Sequence, residues 1–499
     1  MAKSPKKSSG TAEDIQCWST DPRDALPIRR AVSPALPGAT LGIHITGLKP
    51  NPQLYSLGTI EFRYWTAAEA LRRAADYWNA AGCKQWQSQV GKLLQVNLDA
   101  GNDLNAYYSR EDKGLSFFHA TITDASNNGR AMTVYSGESP DVISHELGHA
   151  ILDAIKPELW DILTGEVAAF HEFFGDGSSI LTALQLPYVR DTVVAETQGQ
   201  LWRNSSIARM AEELGYAIRQ VNPKYADLDC LRNASTLWLY RSPTELSPDG
   251  PNSILTSQPH NFSRVFTGAF LAALGRMALA IADDQRVNAD HVLQASLDMG
   301  PLLLKAVINA PLRTDFYRSV AEQMIIAASQ HLTHGEAYVK AITAAMIRQG
   351  ILSTPDPVLR AKHTSFASAV AFAAVATDPN GVADATATQP AQLTIPGDAL
   401  GLTTPLLVEG PAVEEQEKRR PVGISPMTIM PSSREQAIQS YVESLARRGR
   451  IAVDASVDAP DSFLHQVEIP HHATHVLETT AAGNRLRRIR VDCGGGFGW

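Results

Sequence analysis

The stretch Ser139-Pro-Asp-Val-Ile-Ser-His-Glu-Leu-Gly-His149 holds the residues best suited to chemistry. Ser139 suits an N-cap, Pro140 the first helical position and Asp141 the first turn, so a helix starts here. On that helix His145 and His149 lie one turn apart on one face, and Ile143, Leu147, Ala150 and Ala154 fall roughly opposite. Two imidazoles at i and i+4 can reach one tetrahedral zinc, and Glu146 between them can reach a water on that metal. The plain alternative is a solvated helix face that happens to carry two histidines and an acid.

A third ligand has to come from another helix. In Glu166-Val-Ala-Ala-Phe-His-Glu-Phe-Phe-Gly-Asp176, Glu172 and Asp176 stand at i and i+4, beside a packing stripe of Phe170, Phe173, Phe174, Ile180, Leu181 and Leu184. Glu172 offers a carboxylate ligand, and Asp176 can accept the free N–H of a ligand histidine. Burying two acids among such neighbours is costly without a cation, which favours a metal site over an exposed acidic pair.

Five stretches in order resemble the thermolysin-like gluzincin zinc metallopeptidases over roughly residues 60–350. Asp103-Leu-Asn-Ala-Tyr-Tyr108 followed by Leu115-Ser-Phe-Phe118 is similar to the family's edge strand, and Asp141-Val-Ile-Ser-His-Glu-Leu-Gly-His-Ala150 to its active-site helix. His171-Glu-Phe-Phe-Gly-Asp176 is similar to its second zinc helix. Leu231-Arg-Asn-Ala-Ser235 and Pro259-His-Asn-Phe-Ser-Arg-Val-Phe266 are similar to the segments with the substrate-binding arginine and the catalytic histidine. The resemblance implies an endopeptidase with one catalytic Zn²⁺ on His145, His149 and Glu172, one coordination position left for water, and Glu146 as general base. It implies further that His260 shares the oxyanion with the zinc, that Arg232 grips a substrate carbonyl, and that Asn105 and Ala106 pair with the substrate as an added strand. Substrates would be extended peptides or proteins, cut before an apolar side chain.

The chain departs from the family's pattern at several positions. His149 and Glu172 are 22 residues apart by intervening count, more than usual, which makes Glu166 a rival ligand, although position 170 offers Phe and not an acid. The oxyanion-stabilising tyrosine has no match, and Trp160 nearby has no phenol. Residues 255–259 read Leu-Thr-Ser-Gln-Pro where an acid normally orients the catalytic histidine, so Asp249 is the nearest candidate. Ala183 stands where the family has a calcium-binding glutamate, which puts the calcium cluster in question. Two rivals remain: a catalytically weak zinc protein that binds peptides or proteins, and a related zinc aminopeptidase, whose Gly-x-Met-Glu-Asn motif is missing here. Ile155 excludes the metzincins, which need a histidine there.

The expected architecture is α+β and two-lobed. Residues 1–40 read as a disordered arm rich in Ser, Pro, Lys and Arg. Residues 41–157 read as a β-rich lobe with the His-Glu-x-x-His helix, built from Gly42–Ile45, a helix over Thr66–Ala81 capped by a Thr66/Glu69 box, and strands at 93–98, 104–108, 115–122 and 131–135. Residues 158–362 read as a helical lobe, with helical spacing around 166–186, 205–220, 262–283, 290–307, 316–331 and 335–349. A Pro/Ala-rich linker spans 363–435, and a small strand-rich tail spans 436–499, with a helix over 433–448 and strands at 462–469, 474–479 and 486–491. His465, His471, His472 and His475 in that tail are spaced histidines without nearby cysteines, a weak metal signal.

Composition sets the outer limits. The chain has 499 residues, 44% hydrophobic, with 44 Lys+Arg against 52 Asp+Glu, a formal charge of −8. That fills a large core and provides no basic field for nucleic acid or an anionic membrane. Cys17, Cys83, Cys230 and Cys493 are far apart and read as isolated thiols. The N-terminus has no apolar run after its early lysines, so no Sec signal is expected, which leaves the cytoplasm or another export route. Phe266–Ala282 reads as a buried helix and not a membrane span.

Overall fold

The computed structural model describes residues 14–23, 27–31, 36, 41–87, 89–283, 285–352, 389–402, 404–412, 433–453 and 470–493. It is a mixed α+β structure. Ten α-helices among the described residues carry most of the core: α1 Ile60–Ala81, α2 Pro140–Ile155, α3 Gly165–Ala183, α4 Pro187–Thr197, α5 Glu212–Val221, α6 Pro259–Ala282, α7 Ala289–Asn309, α8 Phe316–Ser329, α9 Gly335–Arg348 and α10 Arg434–Arg447. The strands are short. They are β1 Asp14–Cys17, β2 Ile28–Ala31, β3 Ile43–Ile45, β4 Leu94–Asn97, β5 Ala106–Ser109, β6 Gly114–Phe117, β7 His119–Asp124, β8 Arg130–Tyr135, β9 Arg209–Met210, β10 Arg232–Asn233, β11 Ala391–Ile395, β12 Leu406–Gly410, β13 Ile451–Val453, β14 His475–Thr480, β15 Gly483–Arg488 and β16 Arg490–Asp492.

A five-stranded sheet in the order β16-β5-β6-β4-β3 lies beside α1 and α2, with β3, β4 and β6 parallel and β5 antiparallel to β6. The expected strand over 115–122 is two, because the chain breaks at Phe118 and β7 leaves to form a hairpin with β8. Ser139 caps α2, its side chain accepting from the Val142 N–H, with Pro140 at the first position, as the sequence predicts. Helices α2 and α3 approach closely through facing glycines. A methyl on Gly148 would sit 2.9 Å from Ser178 Cβ and 3.0 Å from Gly175 Cα. That contact brings the two candidate ligand helices together.

Helix α6 is the axis of the helical part. It has the length and hydropathy of a membrane span, but 78% of its most apolar window is buried among the other helices. Phe170 and Phe173 of α3 meet Phe266 of α6 at ring distances of 5.6 and 4.4 Å, and Phe262 stacks on Tyr317 of α8 at 5.3 Å.

Four expectations are corrected. Residues 14–17 and 28–31, placed in a disordered arm, form an antiparallel pair: Ile15 and Cys17 alternate into the core, Trp18 N–H donates to Thr66, and Arg30 pairs with Glu69. Helix α1 begins six residues before the expected start. Thr59 is its N-cap, and Thr66 and Glu69 lie buried in mid-helix, so the presumed capping box is occupied by contacts with the N-terminal strands and with Arg73. The helix expected over 205–220 is shorter: Glu212–Val221 follows a 3-10 turn and the bridge of β9 to β10. The expected linker contributes strands β11 and β12 to a second five-stranded sheet, β11-β12-β15-β14-β13, covered by α10. Residues 462–469, including His465, lie outside the described residues.

The tail is also not separate. Leu163 and Ala168 share its apolar core, Leu163 N–H donates to the Glu409 carbonyl, and β16 leaves the second sheet to pair with β5 in the first.

Candidate active site

Helix α2 places His145, Glu146 and His149 in the interior, at 2%, 0% and 0% exposure, which removes the solvated-face alternative. One ligand-capable atom from each lies within 4.8 Å of the others. Glu172 enters from α3 on the His145 side, its Oε2 3.4 Å from His145 Nε2. His145 Nδ1 donates to Asp176 Oδ1 at 3.0 Å, which fixes the tautomer and turns Nε2 toward Glu172. Of the two candidate acids on α3, Glu166 is engaged elsewhere: it accepts from the Tyr240 hydroxyl and from Tyr317 N–H at the start of α8.

The hydrogen-bond accounting is what marks the site. Among the described residues, both ring nitrogens of His149 and both oxygens of Glu146 are buried without a hydrogen-bond partner, while His145 Nε2 faces Glu172 Oε2 and that oxygen also faces His260. Buried polar atoms are nearly always satisfied, so unpartnered atoms on His149 and Glu146 beside His145 call for a ligand that the protein does not itself supply. Two imidazole nitrogens and carboxylate oxygens are the donor set of zinc. The residues present therefore fit a divalent cation.

The electrostatics carry the same signature. Burial works against a charged His145, but hydrogen bonds to Asp176 and Glu172 outweigh it and push its pKa up to about 9. Burial, with His145 beside it, drives His149 down to about 3. Burial also pushes Glu146 well above the usual carboxylate range. Glu172 is held well below that range in spite of burial, by His260, His145 and His149. A divalent cation would reverse the penalty on Glu146 and replace the proton shared around His145.

His260 is the second residue of α6. Its Nε2 lies 3.0 Å from Glu172 Oε2 and donates to the backbone carbonyl of Asp492 at 2.6 Å. Gln258 supplies what the missing acid was expected to do. Its side-chain NH₂ donates to His260 Nδ1 at 2.8 Å, while its oxygen accepts Asn261 N–H as the N-cap of α6. A donor on Nδ1 selects the neutral tautomer with its proton on Nε2. Asp249 takes no part and accepts from Tyr225 instead. Trp160 sits between Tyr108 and His171.

Arg232 is buried and donates to Asp176 at 2.9 Å and to the Cys493 carbonyl at 3.3 Å. Its ion pair is with Asp176, and Asp227, five residues before it, pairs with Arg264. Asn105 is buried just before β5, and Ala106 opens that strand, its carbonyl accepting the Cys493 N–H at 2.8 Å. All nine residues singled out from the sequence thus fall in one neighbourhood. Sequence reasoning missed Gln258, the pairing of the end of the expected 486–491 strand with β5 as a separate strand β16, and His171, whose two ring nitrogens are also buried without partners, 6.1 Å ring to ring from His149. His171 could have been found from its position beside Glu172 on a helix with no exposed face.

Ala183 lines a cavity with Asp21, Asp141 and Glu212, whose ligand-capable oxygens lie within 4.8 Å of one another. His471, His472 and His475 of the tail join no such group among the described residues. No protein-family model matches the chain, and no curated protein matches its sequence.

Proposed function

We propose that this protein is a zinc-dependent endopeptidase of thermolysin-like, two-lobed architecture. The observation that carries the reading is the buried group of His145, Glu146 and His149, whose ligand-capable atoms lie within 4.8 Å of one another, with Glu172 on the His145 side.

His145, His149 and Glu172 would hold the zinc, which when bound supplies a Lewis acid for a water and a peptide carbonyl. Glu146, the only one of the four acids and imidazoles not needed as a ligand, takes a proton from that water and passes it to the departing amine. Asp176 holds His145 in its tautomer, and Arg232 holds Asp176 in turn. His260, kept neutral by Gln258, donates its Nε2 proton to the carbonyl oxygen on which charge develops. Ala106 on β5 pairs with the backbone of an extended substrate.

Zinc analysis with casein hydrolysis by wild type and Glu146→Gln tests the reading. One bound zinc in both proteins and a loss of roughly 10²–10⁴-fold in the variant is the expected result. Equal rates in the two would favour the second reading, a zinc protein that binds peptides without cutting them.

A further inference from the structure

Strand β16 adds to β5 antiparallel, with Arg490 opposite Ser109, Val491 opposite Tyr108 and Asp492 opposite Tyr107. At its end three backbone groups in a row are held by the residues assigned above to a substrate. The Asp492 carbonyl takes the His260 proton at 2.6 Å, the Cys493 N–H donates to Ala106 O at 2.8 Å, and the Cys493 carbonyl accepts from Arg232 at 3.3 Å. One peptide bond, Asp492–Cys493, therefore has its oxygen on the histidine beside Glu172 and its nitrogen fixed on the strand edge. The partnerless carboxylate of Glu146 is close enough to feel the Asp492 charge.

A segment that merely blocked a metal would put a side-chain ligand on it. Neither side chain here does so. The Asp492 carboxylate is turned aside and held by both oxygens on Arg450 at 2.5 Å, and the Cys493 sulfur, 1% exposed as a residue, faces Arg232 at 4.0 Å. The main chain is presented, and the side chains are stowed.

We propose that the Asp492–Cys493 bond is a substrate of this chain's own site, hydrolysed within the same molecule. The inference rests on the endopeptidase reading. The C–N bond breaks, a water oxygen becomes the second carboxylate oxygen of Asp492, and the proton that Glu146 takes from that water goes to the new Cys493 amine. The products are a chain ending at Asp492 and the peptide Cys493–Trp499.

The experiment loads the metal-free full chain with Zn²⁺ and follows intact mass. The expected result is loss of the seven-residue peptide in wild type, with one ¹⁸O retained on Asp492 in labelled water and a first-order rate unchanged on tenfold dilution. In Glu146→Gln the cut is at least about 100-fold slower. Independently of activity, hydrogen exchange on the metal-free chain should show the Val491 and Cys493 amides protected, and free exchange there overturns the seating. A Val491→Pro/Cys493→Pro variant lacks the two N–H groups with which β16 joins β5, and so leaves the β5 edge open. If that variant cuts an external peptide while metal-loaded wild type keeps its full mass, the inference is overturned and the endopeptidase reading stands. If wild type stays whole and the open variant cuts nothing, both fall.

Discussion

Replacing Gly175 by alanine probes the close approach of α3 to His145. An alanine Cβ at this position would lie 2.6 Å from both Cε1 and Nδ1 of the His145 ring, against 3.4 Å for an ordinary contact. The imidazole therefore has to retreat by roughly 0.8 Å, about four times the ±0.2 Å tolerance of a metal–ligand distance. The same movement breaks the Nδ1 bond to Asp176, now 3.0 Å long. Loss of such an outer hydrogen bond costs 10–100-fold in metal affinity, or about 1.4–2.7 kcal/mol. Gly177→Ala is the matched control, two residues further along the same helix. Its methyl would meet only the Phe173 ring, at 3.6 Å, and the helix should gain roughly 0.5–1 kcal/mol from the lost glycine. Zinc dissociation constants from chelator competition on the two folded variants decide the matter. A Gly175→Ala protein that binds zinc within twofold of wild type would refute both the packing argument and the placement of His145 at the metal.

Two further substitutions separate structural from ligating acids. Glu166→Ala should cost about 2–4 kcal/mol in denaturant stability, because it strands the buried Tyr240 hydroxyl and Tyr317 N–H, and leave zinc affinity unchanged; Glu172→Ala should abolish tight zinc binding. Glu213 is pushed up to about 8 by burial and by the charges of Asp21 and Glu138. Its folded pKa lies above the unfolded value, so its stabilising contribution is complete below pH ~4.5 and lost as pH rises through about 8. Glu213→Gln should therefore melt with wild type at pH 4.5 and above it at pH 9, by on the order of 1 kcal/mol given partial exposure, and coincident melting curves at both pH values would count against that assignment.

The candidate ligand pair was legible because its information is local. A cap, a proline and two histidines four apart determine one helix face, and α2 follows them residue for residue. Glu172 and Asp176 were legible for the same reason. Local signals failed where a distant contact outweighed them. Thr66 and Glu69 have the form of a capping box, but Trp18, Arg30 and Arg73 claim both side chains, and the helix runs on N-terminally to Thr59. Proline content around 363–435 suggested a linker, yet Leu393 with Ile395 and Leu406 with Val408 alternate, and that period of two puts Ile395, Leu406 and Val408 in the second core.

What orients the chemistry was the least legible part, and the reason is geometric. Gln258 is two residues from His260, close enough to be noticed, but its role depends on an N-cap turn that lets one amide serve Asn261 with its oxygen and the imidazole with its nitrogen. An acid at that position would favour imidazolium, whereas the amide keeps a neutral ring with its proton facing the groove. The missing acid is thus a substitution of one orienting group by another, and it needs no carboxylate such as Asp249. Strand β16 is more remote still. Its residues continue the run read as one strand over 486–491, with nothing local to mark a change of sheet, and Cys493 is 261 positions from the arginine that holds its carbonyl. Only the closed fold brings that peptide to the edge of β5. The same edge that makes the site able to receive an extended chain is what allows the protein's own tail to arrive there first, because intramolecular pairing needs no encounter and a free strand edge is a standing template.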